Sequence, residues 1–127
     1  MATVNETYNI GDLVHYEFHG SPNFCRNAIT VISGQNLALG TVVGTISASG
    51  KVTAFAAGAS DGSQNASGVI LEAIDASGGD KAHYMLARGP AVLRLSRITW
   101  AGSPNATQKA AALAQLNAVG IVVRTEA

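Results

Sequence analysis

Turn-forming residues cut this chain so often that only one stretch remains long enough for a sustained helix. His19-Gly20-Ser21-Pro22-Asn23, Gly34-Gln35-Asn36, Ser47-Ala48-Ser49-Gly50 and Ala76-Ser77-Gly78-Gly79-Asp80 all read as turns. Arg88-Gly89-Pro90 adds a proline that cannot donate to a central ladder. Between these breaks lie short β-prone runs. Leu13–Phe18 alternates, with Val14, Tyr16 and Phe18 on one face and Leu13, His15 and Glu17 on the other. Arg26–Ser33, Leu37–Ile46, Lys51–Phe55, Ser67–Ile74, Lys81–Ala87, Ala91–Trp100 and Ile121–Val123 are the remaining strand candidates. Gly40 and Gly44 inside one of these runs suggest a bulge or sharp bend, as at the corner of a small barrel. Residues 56–66 read as a loop rich in Gly, Ser, Asp and Ala.

The exception is the segment Ala106–Ala118. It is rich in good helix formers, and Asn105 with Gln108 has the spacing of a capping box. Ala112, Leu113, Leu116 and Val119 share a stripe expected to face inward, and Gly120 stands where a helix C′ glycine belongs. Many short strands and one late helix predict a mainly β fold: a small β-barrel with one short C-terminal α-helix. Residues 1–11 are polar and aperiodic, and read as an extended N-terminal arm ahead of a single β-rich domain at residues 12–127.

Composition narrows the function classes. Eight basic and eight acidic residues balance to zero, and charged residues make up 13% of the chain, about half the usual share. No Lys/Arg cluster offers a nucleic-acid footprint, and no apolar run approaches the length that spans a bilayer. The N-terminus lacks the basic start and apolar core of a signal peptide, so the Asn5, Asn65 and Asn105 glycosylation matches read as chance. The single Cys25 cannot form an internal disulfide, which fits a reducing compartment. The 22 alanines and 14 glycines leave few side chains able to cover a monomer with charge. Such a chain is expected to hide surface against other chains.

Chemical motifs are weak. Gly44 to Lys51 superficially suggests a phosphate loop, but its glycine spacing is one too long, Val52 replaces Ser/Thr, and a strand follows. His15, Glu17 and His19 would share a strand face and could supply metal ligands, although an exposed polar face is the simpler reading and no second ligand cluster follows. Cys25 has no flanking nucleophile signature and reads as a small buried hydrophobe. Asp75 and Asp80 lack calcium-loop spacing and read as turn formers. Trp100 reads as a core residue, with an interface anchor as the alternative. No catalytic residue, metal site or cofactor is assigned. In the arm, Thr3, Val4, Thr7 and Tyr8 have the chemistry to pair with a partner's sheet edge.

Several segments in order resemble a known family. These are Ser33-Gly34-Gln35-Asn36-Leu37, then Gly40-Thr41-Val42-Val43-Gly44, Gly68-Val69-Ile70-Leu71, Asp75-Ala76-Ser77-Gly78-Gly79-Asp80, Arg88-Gly89-Pro90-Ala91-Val92, and the helix running into Gly120-Ile121-Val122-Val123-Arg124. Together they resemble the lambda D-like head decoration proteins of tailed bacteriophages. The resemblance implies a non-enzymatic β-tulip domain on the outer surface of the virion, passing through the host cytoplasm during assembly. It implies homotrimers at three-fold positions that bind the major capsid protein and cement the expanded head against DNA pressure. It also implies a capsid-binding arm that adds a strand to the shell. Here that role falls on Ala2, Thr3, Val4, Asn5, Glu6, Thr7 and Tyr8. Residues 12–27 match no family motif. The readings set against this one are a small metal- or ligand-binding barrel using His15, Glu17 and His19, and a tail or adaptor component.

Overall fold

Short apolar runs separated by glycine turns pair here into a closed barrel with a second sheet and a helix laid against it. The computed structural model describes residues 14–17 and 25–124, with no description of the side chains of residues 15–17. The strands are β1 (Val14–Glu17), β2 (Arg26–Val31), β3 (Asn36–Leu37), β4 (Val42–Thr45) and β5 (Val52–Ala54). They continue with β6 (Gly68–Ile70), β7 (Ile74–Asp75), β8 (Lys81–Leu86), β9 (Ala91–Arg94) and β10 (Ile121–Arg124). The helix α1 spans Ala106–Ala118. The expected class, mainly β with a small barrel and one C-terminal helix, is what the chain adopts. The arm at residues 1–11 lies outside the described residues.

The barrel closes in the order β2-β5-β4-β6-β8. Its longest pairing is antiparallel, β2 with β8, from Arg26 opposite Leu86 to Val31 opposite Lys81. Its shortest is the parallel contact of β2 with β5, where only Val31 and Val52 are in register. Each barrel strand contributes one buried residue to the interior, Val31, Val43, Val52, Ile70 and Met85, joined by Leu37 and Ala76, with Ile29 and Ala54 partly buried against them. The next residue along β4, β6 and β8 points the other way, into a second core. Val42, Val69 and Leu86 meet Phe55, Leu93, Leu116 and Ile121 there. These strands are therefore apolar on both faces, so their sequences read as unbroken apolar pairs rather than alternation.

The second core lies between the barrel wall, the sheet β1-β9-β10 and α1. In that sheet β1 runs antiparallel and β10 parallel to β9. The capping box forms as expected: Asn105 Oδ1 accepts from the Gln108 amide at 2.8 Å, and Gln108 Oε1 accepts from the Asn105 amide at 2.9 Å. Ala112 and Leu116 are fully buried. Val119, placed on the same stripe by the sequence, is 46% exposed instead. It is the C-cap residue, with non-helical dihedrals (φ −103, ψ 12), so the helical period no longer sets its direction. Gly120 follows with φ +91, as a C′ glycine does.

Four strand boundaries differ from expectation. Asn36, expected in a turn, pairs with Asp75 in the ribbon β3–β7. The run Leu37–Ile46 divides at Gly40, and Ser67–Ile74 divides into β6 in the barrel and β7 in the ribbon. The run Ala91–Trp100 stops at Arg94 and turns through a 3₁₀ segment, Leu95–Arg97. Gly40 explains two of these breaks. It sits at φ +85, and a Cβ there would collide with the Arg97 carbonyl oxygen. The 3₁₀ segment thus folds directly over Gly40, and Thr99 rejoins the barrel by donating to the Gly40 carbonyl at 2.8 Å.

Candidate functional site

The strand β1 is the first described element, and its register fixes it against β9. Val14 lies opposite Leu93 and Glu17 opposite Ala91, with β1 at the edge of its sheet. Val14 therefore stands beside the Arg94 end of β9. At that end Arg94 and Arg124 are direct register neighbours on β9 and β10. The charges are unevenly distributed along the chain. All eight lysines and arginines fall between Arg26 and Arg124, whereas Glu6, Asp12 and Glu17 precede Cys25. Net neutrality conceals this asymmetry. The sequence reading used only the balance and so missed it, although counting charges by segment would have found it.

The residues expected to bind the shell, Ala2 to Tyr8, lie outside the described residues, as does His19. His15 and Glu17 lie on β1, whose register shifts between Val14 and Tyr16, so pairing is not uniform across His15. Among the described residues no three His, Cys, Asp or Glu side chains gather as a metal-binding group. Cys25 is fully buried in the second core, with Sγ 3.8 Å from the Pro90 carbonyl oxygen. It packs there as the small hydrophobe the sequence suggested. His83 Nε2 lies 2.7 Å from the Glu72 carbonyl oxygen.

Three aspartates, Asp61, Asp75 and Asp80, are occupied in structural roles. Asp75 accepts from the Ser77 amide at 2.9 Å, the turn role expected of it, and hydrogen bonds from Ser77 hold its carboxyl below the usual range. Asp61 accepts from the Ser63 hydroxyl at 2.6 Å and the Ser63 amide at 3.0 Å, which lower its pKa in the same way. Asp80 does more than end a turn. Lys51 Nζ is 2.6 Å from one carboxylate oxygen, and the Ser33 amide donates to the other at 2.8 Å. The Lys51 contact is the larger cause of its lowered pKa. Ser33 follows β2 and Lys51 precedes β5, so Asp80 fastens both sides of the barrel's shortest pairing. Nothing in the local sequence points to that role, because its partners lie 47 and 29 residues away.

Trp100 is half-buried against the second core. Phe55 meets it edge-on at 6.1 Å, and the Lys109 ammonium lies 5.9 Å from its ring centre. Beside it runs an open groove of about 560 Å³ between residues 53–58 and 101–108. Its lining holds no titratable side chain. Its two glutamines are already committed: Gln35 Oε1 accepts from the Ala54 amide, and Gln108 closes the helix cap. On the outer face of the β2–β8 pair Ala28 lies opposite an exposed Tyr84 and Thr30 opposite Ala82, with Arg26 as the one charged residue of β2 on that side. Both surfaces are formed mainly by small and uncharged side chains.

No curated protein matches the chain. The model of one family, described as bacteriophage lambda head decoration protein D, matches it over residues 3–121. With the match running from the arm through the barrel and helix into β10, the chain belongs to the bacteriophage lambda head decoration protein D family.

Proposed function

We propose that this protein binds the expanded phage head as a homotrimer at three-fold positions and cements neighbouring major capsid subunits against DNA pressure. Family membership over nearly the whole chain is the observation that carries the reading. In this reading the protein is a structural component with no catalytic role, made in the host cytoplasm and retained on the virion surface. Residues 1–11 act as the arm and residues 12–127 as the decoration domain. Ala2 to Tyr8 add a strand to the capsid protein. Strand addition draws its affinity from backbone hydrogen bonds, which suits a chain poor in charge. The edge position of β1 supports it, because an arm leaving an edge strand can reach outward without disturbing the barrel. Repetition over a symmetric lattice lets many weak contacts act together.

Co-sedimentation with expanded, undecorated heads of the same phage tests this directly. The intact protein is expected to pellet with them, and a protein that stays in the supernatant contradicts the assignment. Deleting residues 2–8 is expected to weaken that binding while leaving the thermal transition unchanged. Equal binding by the deletion variant removes the arm from the mechanism but not the domain. Mass measurement in solution and on heads tests the trimer.

A further inference from the structure

We propose that residues 57–66 form a strap that opens as one unit while the barrel stays closed, with Gln115 of α1 as the latch that holds it shut. The strap is self-contained. The Ala56 amide donates to the Ser63 carbonyl at 3.0 Å and turns the chain back on itself. Within it the Asp61 carboxylate accepts from the Ser63 amide and hydroxyl. The Gly62 amide donates to Gln64 Oε1 at 2.8 Å, and the Asn65 amide to the Gly62 carbonyl at 3.2 Å. A loop bonded to itself in this way keeps its shape as it moves. Its burial is also small. Residues 57–66 are all Ala, Gly, Ser, Asp, Gln or Asn, and its apolar contacts with the second core come from the partly buried Ala57 and Ala66. Opening it exposes far less apolar surface than opening the barrel, whose strands bury Val31, Val43, Val52 and Ile70.

The strap is held from two sides. On one, the Ser47 amide in the turn between β4 and β5 donates to the Asp61 carbonyl at 2.8 Å. Gly62 lies close over that turn, where a Cβ would meet the Thr45 carbonyl and Ser47. On the other, Gln115 uses both ends of its amide. Its Oε1 accepts from the Ala66 amide at 2.7 Å, and its Nε2 donates to Asn65 Oδ1 at 2.8 Å. A side-chain amide carries donor and acceptor side by side, so one residue grips two consecutive positions of the strap. Gln115 immediately precedes Leu116, whose burial docks α1 on the barrel wall, so the latch is in place only when the helix is docked. Residues 57 and 58 line the groove beside Trp100, so release of the strap takes away part of that groove's wall. The inference concerns the protein alone and is independent of what the domain binds.

The test is native-state amide hydrogen exchange of the intact protein at fixed concentration, read residue by residue across low urea. Protection of the Gly62, Ser63, Asn65 and Ala66 amides is expected to be about tenfold or more below that of the β2–β8 ladder, and nearly independent of urea, because a local opening exposes little surface. Two substitutions then separate strap from barrel. Ile70→Val, inside the barrel, should speed ladder exchange about two- to tenfold and leave the strap amides unchanged, since the barrel stays intact when the strap opens. Gln115→Met keeps a good helix former of similar length without the amide, and should speed the strap amides about three- to tenfold, the range of one or two hydrogen bonds. Asn65→Ala removes half of the latch and should give a smaller increase in the same amides, with the double variant no faster than Gln115→Met alone. Strap amides that speed up with Ile70→Val by the same factor as the ladder exchange only through global unfolding, which overturns the proposal. Strap exchange unchanged by Gln115→Met overturns it equally.

Discussion

Replacing Leu116 by alanine removes three carbon atoms from a site with no solvent exposure, where α1 meets the barrel wall, β9 and β10. At about 0.8 kcal/mol per buried carbon, the lost transfer free energy is about 2.4 kcal/mol. The site cannot collapse fully, because the facing residues Val69, Leu86 and Leu93 sit on strands held by their own ladders. A partly retained void adds about 1 kcal/mol, for a total loss of about 3–4 kcal/mol. For a chain of this length that lowers the unfolding midpoint by about 10–15 °C. Urea and thermal unfolding followed by Trp100 fluorescence and far-ultraviolet circular dichroism measure it, at fixed protein concentration because an oligomer's midpoint depends on it. Val119→Ala on the exposed C-cap is the control, expected to cost under about 0.5 kcal/mol. A Leu116→Ala loss no larger than that of Val119→Ala would refute the idea that helix docking holds the second core together.

Asn105→Ala breaks the capping box and should destabilise by about 1 kcal/mol, measured by urea unfolding, with Asn105→Asp largely preserving stability. The loop carboxylates give the pH dependence its sign. Asp61, Asp75 and Asp80 all have folded pKa values below the ordinary 3.8, so their stabilisation is complete above that value and disappears as pH falls through the folded values. Asp80→Asn should therefore be less stable than the parent at neutral pH and converge with it as pH falls below the lowered folded pKa of Asp80. A gap that does not change with pH would show that the Asp80 charge plays no part in closing the barrel.

Features encoded by neighbours in sequence were readable, and those set by distant pairing were not. The helix from Ala106 to Ala118 could be placed because its cap, its formers and its C′ glycine are all local. The strands could be located but not always ended. Nothing between Ala91 and Trp100 announces a turn at Leu95; the turn depends on room above Gly40, more than fifty residues earlier. The ribbon β3–β7 was hidden for a similar reason, since Asn36 has turn chemistry and becomes a strand only by meeting Asp75. At the candidate site the pairing of Arg94 with Arg124 is legible only once β9 and β10 are known to be adjacent and parallel.

The two-faced strands of the barrel wall have a consequence for how the chain finds its register. In an ordinary half-buried strand, a slip of one residue is punished by polarity, since it turns apolar groups to water. In β4 and β6 such a slip would exchange one apolar core for the other, and polarity would hardly register it. Shape must discriminate instead. A side chain at Gly44 would strike the backbone of Ser63 and Asn65, and one at Gly68 would strike Leu86 and Met85. The two glycines act as notches in a key, admitting only the alignment that sets them beneath those neighbours. Valine at either position should therefore jam the barrel in its native alignment while changing the hydrophobic pattern hardly at all.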